Sequence, residues 1–75
     1  MIILMKTEIL IKFGQQLRKR RAELGLSQEE LANRAGVHRT YIGMIERAEK
    51  NITLKNIEKI SKALKIEIDK LMKEL

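Results

Sequence analysis

The chain has 75 residues with no cysteine, no proline and four glycines, which excludes a disulfide framework, thiolate metal sites and the turn density of an all-β domain. Hydrophobic residues make up 44% and charged residues 35%, so the chain folds rather than stays disordered, around a core that buries only about 60% of its unfolded surface. The net charge of +6, with one Tyr, one Phe and no Trp, points to nucleic acid or an anionic membrane, or to simple solubility, and leaves no aromatic platform for single strands.

The opening run from Met1 to Met5 is apolar but ends at Lys6. It is far shorter than the roughly 20 apolar residues of a spanning helix, and no small-residue cleavage site follows it. A cytoplasmic location with no membrane partner is expected.

The first predicted helix runs from about Glu8 to Leu24. Leu10, Phe13, Leu17 and Leu24 are spaced by three, four and seven residues, a helical stripe. Gly14 within it lowers helix propensity, and Gly25 suits a left-handed stop. The second helix opens at Ser27. Ser27, Gln28, Glu29 and Glu30 form a capping box, in which the serine oxygen accepts from the third backbone N–H and Glu30 reaches back. Leu31, Ala32 and Ala35 supply its apolar face, and Gly36 ends it. A third helix begins near His38 or Arg39, with His38 serving the cap, and carries Tyr41, Ile42 and Ile45. A polar loop spans Arg47 to Thr53. Thr53 caps a fourth helix, whose apolar set is Leu54, Ile57, Ile60 and Leu64. A fifth runs from about Glu67 to Leu75, with Ile68, Leu71, Met72 and Leu75 on one stripe. Residues 1–75 therefore read as one all-α domain, without internal repeat or linker.

Catalysis has no support in this pattern. His38 is the one histidine, and it has no second histidine or cysteine with which to share a metal. Glu29 and Glu30 are consecutive on a helix, so they do not face each other as paired acids. No Gly-rich phosphate loop or nucleophile motif occurs. No catalytic residue, metal or cofactor is expected, and the protein is not expected to be an enzyme.

The segment SQEELANRAGVHRTYIGMIER, Ser27 to Arg47, is more specific. A short helix, a glycine turn and a second helix are the parts of a helix-turn-helix. Ala32 is small where two helices must cross closely, and Gly36 allows a positive φ. Val37, Ile42 and Ile45 anchor the second of these helices, leaving Arg39, Thr40, Gly43, Met44 and Arg47 toward the outer face. A plain helical hairpin is the bland alternative, and it does not account for Ala32, Gly36, Ile42 and Ile45 together.

From about Phe13 to Met72 the sequence resembles the Cro and phage-repressor, or xenobiotic-response-element, type of helix-turn-helix domain. The residues that carry the likeness are the LRKRRAELGLSQEELA run, the Gly36 turn, the YIGMIER helix and the LKNIEKISKAL segment. The resemblance implies a compact, lambda-repressor-like five-helix domain that binds double-stranded DNA as a homodimer on a palindromic operator. Its helix-turn-helix is expected at about 27–47, with a recognition helix at about 38–47 in the major groove. More narrowly, HRTYIGMIERAEKNITL looks like the controller proteins of restriction-modification systems, which regulate transcription of their own operons. A phage-type or chromosomal repressor and an antitoxin-type repressor are the other readings within the class. The alternative from a different class is a protein-interaction module of the same fold without DNA binding; Arg39 and the basic charge argue against it. No small-molecule ligand is expected. Two positions depart from the family pattern: Ala48 stands where glycine is common, and Ile52 where proline is common. A left-handed stop strains alanine, so the third helix is expected to run on a little.

Charge is uneven along the chain. Lys6 to Arg21 carries six basic residues against one acid, whereas Ala22 to Asn33 carries three acids and no base. Within the helix-turn-helix reading, Arg39 and Thr40 are the expected base contacts, since they fall in the first turn of the recognition helix. Tyr41 ranks lower because its ring serves packing, and Met44 lies at the groove edge. Gln28, at the unpaired N–H groups of the second helix, is the expected phosphate contact, with Arg47 and Lys50 added on charge. Arg21 lies four residues after Leu17, and Glu46 four after Ile42; both point near the core, so they are expected to pair. Leu71 and Ile66 are assigned to the core. Met72, Leu75 and Ile68 are assigned to a dimer interface, with Met1 to Met5 as its alternative location.

Overall fold

The computed structural model, which describes residues 7–73, contains five helices: α1 (Glu8–Glu23), α2 (Gln28–Ala35), α3 (Arg39–Glu46), α4 (Leu54–Ala63) and α5 (Ile68–Leu71). This is the all-α order read from the sequence. The Met1 to Met5 run and Leu75 lie outside the described residues.

Side-chain caps begin three of the helices. Ser27 Oγ accepts from the Glu30 N–H at 3.0 Å, and the Glu30 carboxylate accepts from the Ser27 N–H at 2.8 Å. The Ser27 backbone N–H, more than its hydroxyl, holds the Glu30 carboxyl below its ordinary pKa. Its contribution to the cap is therefore present above the usual carboxylate range and is lost as pH falls through the lowered value. His38 Nδ1 accepts from the Thr40 N–H at 3.1 Å, and Thr53 Oγ1 from the Asn56 N–H at 3.2 Å.

One stop motif ends four helices. A left-handed residue follows the helix, and the next N–H reaches back five residues to a carbonyl. The left-handed residues are Gly25 and Gly36, as the sequence suggested, but also Ala48 at φ 60° and Lys65 at φ 55°. The corresponding bonds run from Leu26 to Arg21, Val37 to Ala32, Glu49 to Met44 and Ile66 to Ser61. The expected run-on of α3 is thus corrected. It ends at Glu46 despite alanine at the stop, because two recaptured carbonyls and the buried Ala48 methyl offset a left-handed penalty of about 1–2 kcal/mol.

The core joins Phe13 and Leu17 of α1, Leu31, Ala32 and Ala35 of α2, and Ile42 and Ile45 of α3 to Ile57, Ile60, Leu64 and Leu71. Helix α2 packs on α3 and α4, α1 packs on α3, and α5 closes onto α4 and α1. Leu54 departs from its expected place: it is 76% exposed. It is the first residue of α4, and helical side chains lean toward the N-terminus, so its side chain projects past the helix start instead of onto the core. Helix α5 is shorter than expected, ending at Leu71 with Met72 as its C-cap.

Gly14 does more than weaken a helix. A β-carbon built there would lie 2.7 Å from the carbonyl oxygens of both Ile45 and Glu46. The bare glycine is what lets α1 approach the last turn of α3. Arg20 ties α1 to the end of α4, its Nε donating to the Leu64 carbonyl at 3.1 Å and its Nη2 to that of Lys65 at 3.2 Å.

Candidate nucleic-acid interface

The core positions of α2 and α3 dictate which side chains remain outside. Ile42 and Ile45 point into the body, which leaves Arg39 and Thr40 exposed in the first turn of α3. That turn contains no acid. The His38 cap leaves one fewer unpaired N–H there and fixes where the turn begins.

Glu46 organises the other end of α3. Arg21 Nε donates to Glu46 Oε2 at 2.6 Å and Arg21 Nη2 to Oε1 at 3.0 Å, while Arg21 Nη1 donates to the Leu26 carbonyl at 2.8 Å. The fork is nearly dry on one side: the Glu46 side chain is 3% exposed and that of Arg21 16%. Hydrogen bonding to Glu46 raises the Arg21 guanidinium above its ordinary pKa, against the opposing effect of burial. Gln28 Nε2 donates to the same Glu46 Oε1 at 3.0 Å. One carboxylate therefore fixes α1, the first residue of α2 and the end of α3 together.

Gly43 was expected on the open outer face and is instead buried. A β-carbon there would lie 2.9 Å from Arg47 Nη1 and 3.3 Å from Gln28 Oε1, so two polar side chains close over it. Arg47 also chelates Glu49, through Nε at 3.0 Å and Nη2 at 3.1 Å. Lys50 is exposed in the following loop, and Met44 is half-buried. Tyr41 packs against the core; its hydroxyl accepts from Asn56 Nδ2 at 2.9 Å and keeps its own proton to donate. Gln28, Gly43 and Arg47 are thus contiguous, and the neighbour of Gln28, Glu29, lies 3.8 Å from Arg39. A single surface carries the first turn of α2 and the outer side of α3.

Residues 17–71 match the helix-turn-helix family. The chain belongs to that family. Among relatives of this helix-turn-helix protein, the control protein C.BamHI of Bacillus amyloliquefaciens is 48% identical over 64 residues, 84% of this chain and 79% of that protein. Among solved structures, the restriction-modification controller protein C.AhdI from Aeromonas hydrophila superposes with a TM-score of 0.81 at 50% identity, covering 83% of this chain and 94% of that one. The controller C.Esp1396I superposes at 0.83 with 34% identity over 89% of this chain and 90% of its own. Its solved variants replace an arginine, a threonine and a tyrosine at three consecutive positions.

Two contacts at the helix-turn-helix surface are not among those expected from the sequence. Glu29 reaches Arg39 across the α2–α3 crossing, and Asn56 holds Tyr41 from α4. Neither contact is signalled by a short-range pattern; each depends on how separate helices cross. Away from this surface, Ile68 is exposed and Met72 is half-buried, packed on the core near Ile9, Leu10, Phe13 and Ile52. Leu75 lies outside the described residues. No described helix is long and apolar enough to cross a membrane.

Proposed function

We propose that the protein is a sequence-specific, duplex-DNA-binding transcriptional regulator of the controller type, a single helix-turn-helix domain acting in the cytoplasm. It binds a palindromic operator as a homodimer, regulates its own operon and requires no small molecule. It acts by binding, not by catalysis. The observation that carries the reading is the exposed, acid-free first turn of α3, with Arg39 and Thr40 set beside the N-terminus of α2. The arginine, threonine and tyrosine replaced in C.Esp1396I occur here as the same run, Arg39, Thr40 and Tyr41, and three relatives of this chain are named control proteins.

Arg39 and Thr40 read base edges. An arginine fork donates two parallel bonds to guanine O6 and N7, and threonine offers a hydroxyl and a methyl. Tyr41 and Met44 lie along the same side, Tyr41 with a hydroxyl proton to donate. Arg39→Ala is expected to lose about 1–3 kcal/mol on a duplex selected by the protein from a random-sequence pool, and to become less selective at one base position. Equal losses on the selected duplex, a single-base variant of it and random duplex, measured at several salt concentrations, would reduce Arg39 to a phosphate contact.

Gln28 grips a phosphate together with the unpaired N–H groups of α2, its side chain steadied by Glu46. Lys50 adds positive charge further along, and Arg47 joins it as a phosphate contact by exchanging its Glu49 partner for the phosphate. Gln28→Ala is expected to weaken selected and random duplex alike, since phosphate contacts carry no sequence information. A loss confined to the selected duplex counts against this role. A protein-interaction module of the same fold predicts no salt-sensitive retention of any duplex, so a gel shift at two salt concentrations separates the two readings.

A second copy of the chain covers Ile68, with Met72 behind it; Leu75, assigned to the same interface from the sequence, lies outside the described residues. Exposed apolar residues on a thin-cored domain support this pairing. Ile68→Glu is expected to halve the sedimenting mass; an unchanged dimer mass moves the interface elsewhere, with the Met1 to Met5 run the next candidate.

A further inference from the structure

The first turn of α2 holds two acids, Glu29 and Glu30, on the surface where a phosphate would sit. Glu30 is spent on the capping box, bonded to the Ser27 N–H. Glu29 takes no part in that box. Its carboxylate instead lies 3.8 Å from Arg39 Nη1, and both side chains stay about two-thirds exposed, at 64% and 65%. They line one open groove with Asn33, Val37 and His38. An unburied acid here opposes DNA through like charge, a device that lowers affinity for wrong partners.

We propose that Glu29 is a specificity-determining residue that acts through Arg39. The inference rests on the DNA-reading role given to Arg39 above. The Glu29 carboxylate beside it offsets part of the guanidinium's attraction to any phosphate. At 3.8 Å the contact is too long for a hydrogen bond, so it takes up none of the five N–H donors of the arginine, and those donors can meet the neutral acceptors of guanine, O6 and N7. Glu29 therefore turns Arg39 from a general backbone contact into a base reader.

The test compares wild type, Glu29→Gln, Arg39→Ala and the double variant on two probes. One is the duplex the wild type selects from a random-sequence pool; the other is random duplex of the same length. Glu29→Gln is expected to bind random duplex about two- to fivefold more tightly, the range of an exposed charge pair, with a salt slope steeper by about one. Binding to the selected duplex is expected to stay within about twofold, so selectivity falls by about two- to fivefold. In the Arg39→Ala background, Glu29→Gln is expected to leave the selectivity ratio unchanged. Thermal melting of Glu29→Gln is expected to match wild type, because the side chain is exposed. Equal shifts on both probes, in either direction, or the same loss of selectivity without Arg39, would overturn the role of Glu29 while leaving the DNA-binding reading intact. Failure of the wild type to select any sequence would overturn that reading, and the role of Glu29 with it.

Discussion

Glu46→Ala is expected to destabilise the protein by about 3 kcal/mol, the lower end for a broken buried ion pair. The lower end applies because Arg21 keeps some access to water while Glu46 has almost none. The substitution leaves the Arg21 guanidinium with the Leu26 carbonyl as its remaining hydrogen-bond partner among the described residues. Denaturant unfolding of Glu46→Ala, Arg21→Ala and the double variant measures the effect. Removing both charges is expected to cost less than the sum of the single losses, and strict additivity would reject the pair. The loss also reaches function, because Glu46 Oε1 steadies Gln28 at the start of α2. DNA affinity of the folded fraction is therefore expected to fall on selected and random duplex together, following Gln28→Ala rather than Arg39→Ala.

Gly14→Ala is expected to be destabilising by roughly 2 kcal/mol, even though alanine is the better helix former. The propensity gain is about 1 kcal/mol. Against it stand two backbone oxygens, those of Ile45 and Glu46, each 2.7 Å from the new methyl. Backbone at the end of a helix cannot swing aside, so α1 and α3 must separate, and overpacking of this kind costs about 1–3 kcal/mol, occasionally more. Separation also stretches the Arg21–Glu46 fork, which bridges the same two helices, so the loss lies toward the upper end. Gly43→Ala is the control: its methyl meets the tips of Arg47 and Gln28, which can move. A lower denaturation midpoint for Gly14→Ala than for Gly43→Ala is the expected order, and an unchanged midpoint for Gly14→Ala would mean that α1 and α3 do not approach so closely.

By itself the sequence determined what depends on neighbours within one or two turns. The Ser27 box, the His38 and Thr53 caps and the left-handed stops at Gly25 and Gly36 were all legible, because each is a contact between residues two to five apart. The stripes through Phe13, Leu17, Ile42, Ile45, Ile57, Ile60 and Leu64 were legible for the same reason: helical period alone assigns an inward face. Much of the candidate site followed from that face, since Arg39 and Thr40 lie outside once Ile42 and Ile45 lie inside. Arg21 and Glu46 could be singled out as charges turned toward the core. Tertiary structure decided the rest. It exposed Leu54, gave alanine and lysine the left-handed stops at positions 48 and 65, and buried Gly43 beneath Gln28 and Arg47. It made Gly14 the point of closest approach between α1 and α3, gave one carboxylate to both Arg21 and Gln28, and set Glu29 against Arg39. These outcomes share a physical cause: whether a methyl is buried, a glycine is needed or an acid finds a cation depends on where rigid helices cross, and the crossing is set by the packing of the whole core rather than by any local run of residues.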